Sequence, residues 1–311
     1  MSNDNATPNE KPADVAAEVG GGAGSGSERK SVLVSGASTG IGRATVAELV
    51  RGGFHVWAAV RSEADEEALR GEYGDAVSVV RLDLTDGDSI EAAGRLVSAA
   101  GPLHGLVNNA GVALPGPLEH MPIDVFRRQI EINLVGQLAL TQAMMPALRL
   151  ARGQGADARI VMIGSIGGRV AGPMLGAYHA AKFGLAGLTD SLRAELAPFG
   201  VRVVLIEPGS VATPIWKRGG DAADTLVEGL SAEAREQYAP QLAAARTSAA
   251  KTAARGIDPA RAAAVIVKSL TAPNPRPRQV IGRDARAGAV LARLLPYRLL
   301  YRLVAAGATR G

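Results

Sequence analysis

The sequence has no cysteine. Disulfide frameworks, thiolate metal sites and cysteine nucleophiles are therefore excluded, and a reducing, cytoplasmic compartment is the expectation. Histidine occurs only four times, never in an H-E-x-x-H or similar spacing, so no catalytic metal is expected. No run of about 18 uninterrupted apolar residues occurs, so a spanning helix is not expected. The N-terminus lacks a basic start followed by an apolar run, and no secretory leader is read there. The net charge is only +4. Arginine is scattered rather than clustered, which argues against nucleic acid as a partner.

What is present is a chain of 311 residues, 47% hydrophobic and 21% charged, with 38 glycines. That suits one large domain or two small ones with ample core. Residues 1–29 are rich in Asn, Ala, Gly and Ser, and G-G-G-A-G-S-G-S has the composition of a flexible linker. This stretch reads as a disordered tail. Apolar runs at 31–35, 54–60, 77–84, 103–111, 159–164 and 201–207 read as strands. Helical segments fall between them, at 86–100, 124–151 and 177–197 among others. A seventh, edge strand is expected near Gln279, after a proline-spaced segment. Alternation at this pitch implies an α/β fold, a Rossmann-type doubly wound parallel sheet of about seven strands with helices on both faces.

Chemistry-bearing residues fall at the carboxyl ends of these strands, where ligands bind in open α/β sheets. The first strand runs into Gly36-Ala37-Ser38-Thr39-Gly40-Ile41-Gly42 and then a helix. Glycines there allow a tight turn and close approach, and the helix N-terminus offers free N–H groups to a diphosphate. The second strand ends in Val60-Arg61 with no acid. An arginine at that point accommodates the 2′-phosphate of NADP, whereas an acid would bind the ribose of NAD. Glu63 is a rival acid, but Ser62-Glu63-Ala64-Asp65 reads as a capping box. Arg43 could also face the phosphate. Asp83 ends the third strand and either meets an adenine or caps a turn. The fourth strand leads to Asn108-Asn109-Ala110-Gly111. Asn133 sits inside a helical segment, where Asn is a poor helix former and either breaks local bonding or orders a water.

Tyr178 and Lys182 are four apart, so they share a helix face. Ser165 precedes them by a loop of glycines. A free tyrosine has a pKa near 10, and acting as a base at pH 7 requires a drop of about 3 units, roughly 4 kcal/mol. One cation about 4 Å away at an effective dielectric near 20 contributes about that much. Lys182 is the expected cation.

Taken together, Gly36-x-x-x-Gly40-Ile41-Gly42, Asp83, Asn108-Asn109-Ala110-Gly111, Asn133, Ser165, Tyr178-x-x-x-Lys182 and Pro208-Gly209 resemble the short-chain dehydrogenase/reductase family, in its shorter single-domain branch. The resemblance spans roughly residues 30–285. Ser35 stands where the family usually has Thr and keeps the hydroxyl. The resemblance implies a catalytic set of Asn133, Ser165, Tyr178 and Lys182. Tyr178 would be the acid or base, Lys182 would lower its pKa, Ser165 would bond the substrate oxygen, and Asn133 would hold a water. It also implies an NADP(H) site, favoured over NAD(H). That site would use Gly36, Ser38, Thr39, Gly40, Ile41, Gly42, Arg61, Asp83, Leu84, Asn109, Ala110, Gly111, Pro208, Gly209, Val211 and Thr213 besides Tyr178 and Lys182. The expected reaction is alcohol–carbonyl interconversion by direct hydride transfer. The alternative is a non-catalytic NADPH sensor or scaffold on the same fold. Pairing through segments 124–151 and 177–197 would give a homodimer or homotetramer.

Residues 30–284 are expected to form the catalytic domain, with a lid at about 213–255. Trp216 and Tyr238, with Val112, Leu114, Met174 and Leu175, suggest an apolar pocket and a lipophilic hydroxy/oxo substrate. The last stretch, 285–311, carries Leu291, Leu294, Leu295, Leu299, Leu300, Leu303 and Val304 as an apolar stripe broken at Pro296. Five arginines and no acid accompany it. Such a basic amphipathic segment packs on its own domain or a sister subunit, or makes peripheral contact with an anionic membrane.

Overall fold

The computed structural model describes residues 29–307. The expected N-terminal tail, apart from Arg29, lies outside the described residues, as does Arg310. Seven parallel strands form one sheet: β1 (Ser31–Ser35), β2 (His55–Val60), β3 (Val77–Arg81), β4 (Gly105–Asn108), β5 (Ala158–Ile163), β6 (Val201–Pro208) and β7 (Arg278–Ile281). Their order is β3-β2-β1-β4-β5-β6-β7. The order reverses direction between β1 and β4, which opens a crevice at the carboxyl edge.

The helices are α1 (Gly40–Arg51), α2 (Glu63–Tyr73), α3 (Gly87–Ala99), α4 (Ile123–Ile130), α5 (Gly136–Gly153) and α6 (Gly176–Leu196). They continue with α7 (Ile215–Glu228), α8 (Ala232–Arg255), α9 (Pro259–Thr271), α10 (Arg283–Leu294) and α11 (Tyr297–Gly307). Among the described residues no helix is long and apolar enough to cross a membrane. Alternate residues of each strand feed two cores. In β1, Val32 and Val34 join Val46 and Leu49 of α1 and Ile266 of α9. Leu33 joins Val97 of α3, Leu148 of α5 and Leu185 of α6 on the other face. Burial on both faces explains why the strands read as continuous apolar runs.

Two strands are shorter than the sequence predicts. β3 stops at Arg81 and β4 at Asn108, because the chain beyond each peels away to line the crevice. The segment expected as one helix at 124–151 is also interrupted. A π-helical turn at Glu131–Val135 joins α4 to α5 and centres on Asn133. Such turns widen a helix by one residue and recur at functional sites.

The C-terminal stripe divides. Leu295, Leu300 and Val304 are half-buried. Leu291, Leu294, Tyr297, Leu299, Tyr301 and Leu303 are exposed. α10 packs against β7 and the turn after Ser165.

Candidate active site

The carboxyl edge holds a crevice of about 630 Å³, within the range of small-molecule sites. Its first wall is the loop from Gly36 to Ile41. Gly36 and Gly40 have φ of +64° and +58°, which favour glycine. A Cβ on Gly40 would come within 3.0 Å of the Thr213 methyl. Thr39 precedes α1 without a side-chain cap, and no acid occupies the first turn. The N–H groups of that turn are therefore free to face an anion. A dinucleotide diphosphate fits this cradle. Gly42 alone of the expected site residues does not line the crevice. A Cβ there would lie 2.1 Å from the Gly36 carbonyl oxygen, so its part is to let α1 sit on the turn.

Ser35 ties this wall to the next. Its hydroxyl donates to the Val107 carbonyl and accepts from the Asn109 and Ala110 N–H groups, at 2.9 and 3.0 Å from the last two. The Asn109 amide donates to the Ser35 and Gly36 carbonyls. Asn108 turns away and donates to Thr141 and the Met162 sulfur.

At the far end of the crevice stand Arg61, Ser62, Asp65, Asp83 and Leu84. Arg61 makes no ion pair among the described residues. Asp83 accepts from both the N–H and the hydroxyl of Thr85. The Thr85 N–H, the Thr85 hydroxyl and the nearby Arg61 and Arg128 hold its carboxyl below the usual range, against an opposing effect of burial. Asp83 thus caps a turn and lines the crevice at once. Arg43 does not reach the crevice. It pairs with Glu72 and lies 5.5 Å over the Tyr73 ring. Glu63 also stays outside, in the first turn of α2, while Asp65 faces in and accepts from the Ser62 hydroxyl at 2.6 Å. The sequence points to the capping box but not to Asp65 as a lining residue.

The central wall carries Asn133, Ser165, Tyr178 and Lys182. Asn133 is fully buried. Its amide accepts from the Val112 N–H at 2.9 Å and donates to the Val112 carbonyl at 2.8 Å. Gln129, one turn before, bonds Val112 and Leu114 in the same way, and Gln137, one turn after, donates to Ala110. Three amides four residues apart therefore stitch the π-turn to the 110–114 segment. The Asn133 side chain is first a clamp on Val112. Gln129 and Gln137 were missed, although their i, i+4, i+8 spacing around Asn133 was the available signal.

Ser165 follows β5 and accepts from the Gly167 N–H at 3.0 Å. Tyr178 and Lys182 lie on the first turns of α6. The Lys182 ammonium donates to the Ile163 carbonyl at 2.8 Å and lies 5.7 Å from the Tyr178 ring centre. The electrostatics depart from the sequence expectation. Burial pushes the Tyr178 phenol up, and a hydrogen bond with Ser165 opposes that only in part. Burial also pushes Lys182 down, to about 8. The ammonium is aimed at the Ile163 carbonyl, and burial rather than the Lys182 charge sets the direction for the phenol.

His179 holds the loop opposite. Its Nδ1 bonds the Gly167 carbonyl at 2.9 Å, and its Nε2 accepts from the Gly172 N–H at 3.0 Å. Only the neutral ring with its proton on Nδ1 satisfies both. Burial lowers its pKa, partly offset by the Gly167 bond. This contribution to stability is complete above about pH 6.5 and lost as pH falls through the lower folded value. We expect the wild-type Tm to fall as pH drops below about 6.5, and His179→Ala, lower throughout, to show a shallower slope. Equal slopes would refute the staple.

The last wall follows β6, through Pro208, Gly209, Val211 and Thr213 to Trp216 and Arg218 of α7. Ser210 donates its N–H to Asp284 at 2.8 Å, and Arg218 reaches the Thr39 hydroxyl at 3.4 Å. Asp284 and Arg218 were not expected here. Of the residues expected to form an apolar pocket, Val112 and Trp216 line the crevice. Leu114, Met174, Leu175 and Tyr238 do not. Gln129 holds Leu114 by its N–H. Met174, at φ +64°, accepts from the Gly116 N–H, and Leu175 bridges Gly116. Tyr238 bonds Glu119 at 2.6 Å.

A parallel sheet with a glycine-lined crevice at its switch point defines a nucleotide-binding α/β protein. Comparison with known proteins narrows this. The short chain dehydrogenase family model matches residues 30–224. The 3-amino-tetrahydro-pyrrolizinone reductase of Xenorhabdus hominickii is 39% identical over 215 residues, covering 68% of this chain and 71% of the relative. The NADPH-dependent 3-dehydrocapnine reductase of Ornithobacterium rhinotracheale is 36% identical, covering 61% and 69%. Retinol dehydrogenase 16 of Mus musculus is 34% identical, covering 83% and 82%. A solved short-chain dehydrogenase from Streptomyces avermitilis superposes with a TM-score of 0.71 at 29% identity, covering 89% of this chain and 98% of that one. The chain belongs to the short-chain dehydrogenase/reductase family and is an oxidoreductase acting on CH–OH and carbonyl groups.

Proposed function

We propose an NADP(H)-dependent oxidoreductase that interconverts a carbonyl and a secondary or primary alcohol on a lipophilic substrate. The carrying observation is that Ser165, Tyr178 and Lys182 stand on one wall of the same crevice as the glycine loop. Gly36, Ser38, Thr39, Gly40 and Ile41 would hold the diphosphate, Asp83, Leu84 and Arg61 the adenosine end, and Asn109 to Gly111, Pro208, Gly209, Val211 and Thr213 the nicotinamide end. Bound there, the nicotinamide supplies or accepts the hydride. Tyr178 gives its proton to the substrate oxygen during reduction, and Ser165 donates a hydrogen bond to the same oxygen. Lys182 keeps a positive charge beside the phenolate left behind. Val112, Ile166, Val211, Ile215 and Trp216 give the substrate end an apolar lining, and α7 and α8 form its lid. Pairing through α4–α5 and α6, where Val135, Leu150 and Phe183 stand exposed, gives the dimer or tetramer.

The test is a panel of ketones and alcohols followed at the nicotinamide absorbance, with NADPH and NADH in parallel. Arg61→Ala should weaken NADPH about 10- to 100-fold, the worth of a hydrogen bond to a charged group, and leave NADH unchanged. Equal losses for both cofactors would remove Arg61 as the discriminator. Nucleotide binding without turnover of any substrate would favour a sensor or scaffold instead.

A further inference from the structure

A second cavity, of about 570 Å³, lies behind the wall made by Ser210 and Asp284, which line both spaces. Five cations surround it: Lys251, Arg255, Arg261, Arg283 and Arg286. Ser210, Ser248 and Thr252 add hydroxyls, while Ile257, Val265 and Ile281 make an apolar floor. Among the described residues none of the five cations makes an ion pair. The one carboxylate in the lining, Asp284, is engaged by the Ser210 N–H.

The cations are placed against local preference. Ser248, Lys251, Thr252 and Arg255 recur at helical spacing and present one face of α8 to the cavity. Lys251 and Arg255 are like charges four apart, an arrangement that disfavours a helix. Arg261 lies in the first turn of α9, and Arg283 and Arg286 in the first turns of α10. Helix N-termini carry partial positive charge and disfavour cations. Three helices therefore bring five mutually repelling cations to one concave space whose lining holds a single carboxylate, Asp284. An oxyanion bound between them would relieve the repulsion, and guanidinium forks match phosphate oxygens in pairs.

We propose that this cavity is a binding site for a phosphate-bearing group, separate from the crevice and independent of the roles assigned to Tyr178 and Arg61. The group has two sources, a phosphorylated small molecule or a phosphate-monoester lipid headgroup. The second would place the exposed Leu291, Leu294, Tyr297 and Leu303 against a bilayer.

The test uses the full chain at constant ionic strength, saturated with NADP⁺ to cover the crevice. Inorganic pyrophosphate is titrated and Tm recorded, for the wild type and for the triple variant Lys251→Gln, Arg255→Gln, Arg261→Gln. These residues are exposed, and the variant without ligand should be at least as stable as the wild type because repulsion is removed. The wild type should rise by about 5 °C at a hundredfold excess over Kd, and the variant should not respond. In a parallel arm, both proteins are sedimented with vesicles of phosphatidic acid in phosphatidylcholine and with phosphatidylcholine alone. Pyrophosphate stabilisation lost in the variant supports the site and a soluble source. Sedimentation only with phosphatidic acid, lost in the variant, supports it with a lipid source. An equal response of variant and wild type, a response matched by chloride, or no response in either arm overturns it.

Discussion

Tyr178→Phe should lower kcat for carbonyl reduction by about 10²- to 10⁴-fold, the usual worth of a positioned general acid, with NADPH affinity nearly unchanged. The substitution keeps the ring and its packing at the start of α6 and removes only the hydroxyl. No other group on that wall replaces it well. Ser165 is an alcohol whose oxygen already accepts from Gly167, and Lys182 is buried and turned toward the Ile163 carbonyl. The pH dependence separates chemistry from folding. Burial puts Lys182 at about 8, so it is mostly charged at neutral pH and loses that charge above. If its charge steadies the phenolate, the wild-type rate of reduction should fall as pH rises through about 8, while the small residual rate of Tyr178→Phe stays flat. A Tyr178→Phe enzyme with unchanged kcat on every accepted substrate would end the assignment. An unchanged basic limb in that variant would end the link to Lys182.

The order of elements was legible because the sheet is buried on both faces. Val32 to Val34, Val203 to Ile206 and their counterparts are apolar without interruption, and turns or glycines bound them. The crevice was legible for a related reason: its residues sit at strand ends, and chain order alone places those on one edge. What was not legible depends on burial and on contacts distant in sequence. The spacing of Tyr178 and Lys182 gives a shared face but not the dielectric, and burial reverses the expected direction for the phenol. Arg43 is adjacent to the glycine loop in sequence, yet Glu72 from the next helix draws it away. Asp284 reaches Ser210 from 74 residues further along the chain, which no local pattern announces. Asn133 was noticed as a poor helix former, but the π-turn also needs Gln129 and Gln137 bonded to the neighbouring segment.

Glu207→Gln should cost about 2–3 kcal/mol, between the penalty for breaking a buried ion pair and that of a solvent-screened one, because Glu207 is buried while Arg169 and Arg278 are 28% and 32% exposed. Across a domain of this size that corresponds to a fall in Tm of about 5–10 °C. Glu207 is 1% exposed near the end of β6. It accepts from Arg169 through two nitrogens, at 2.8 and 2.6 Å, and from Arg278 at 2.8 Å. Arg169 follows Ser165 in the turn after β5, and Arg278 opens β7. One carboxylate thus joins the loop that carries Ser165 to the last two strands. Neutralising it leaves two partly exposed guanidinium groups beside each other, with Asp190, 3.4 Å from Arg278, as the carboxylate that remains. Activity should fall with stability, because the Ser165 turn loses its anchor to β6. Glu207→Leu combined with Arg169→Leu and Arg278→Leu separates the charge effect from packing. Buried ionic clusters replaced whole by apolar groups cost far less than clusters left with an unmatched charge, so the triple variant should be more stable than Glu207→Gln while its kcat stays low. A loss below about 1 kcal/mol in Glu207→Gln, the range of a solvent-screened surface pair, would show that water reaches the site and that the Ser165 turn is held by something else.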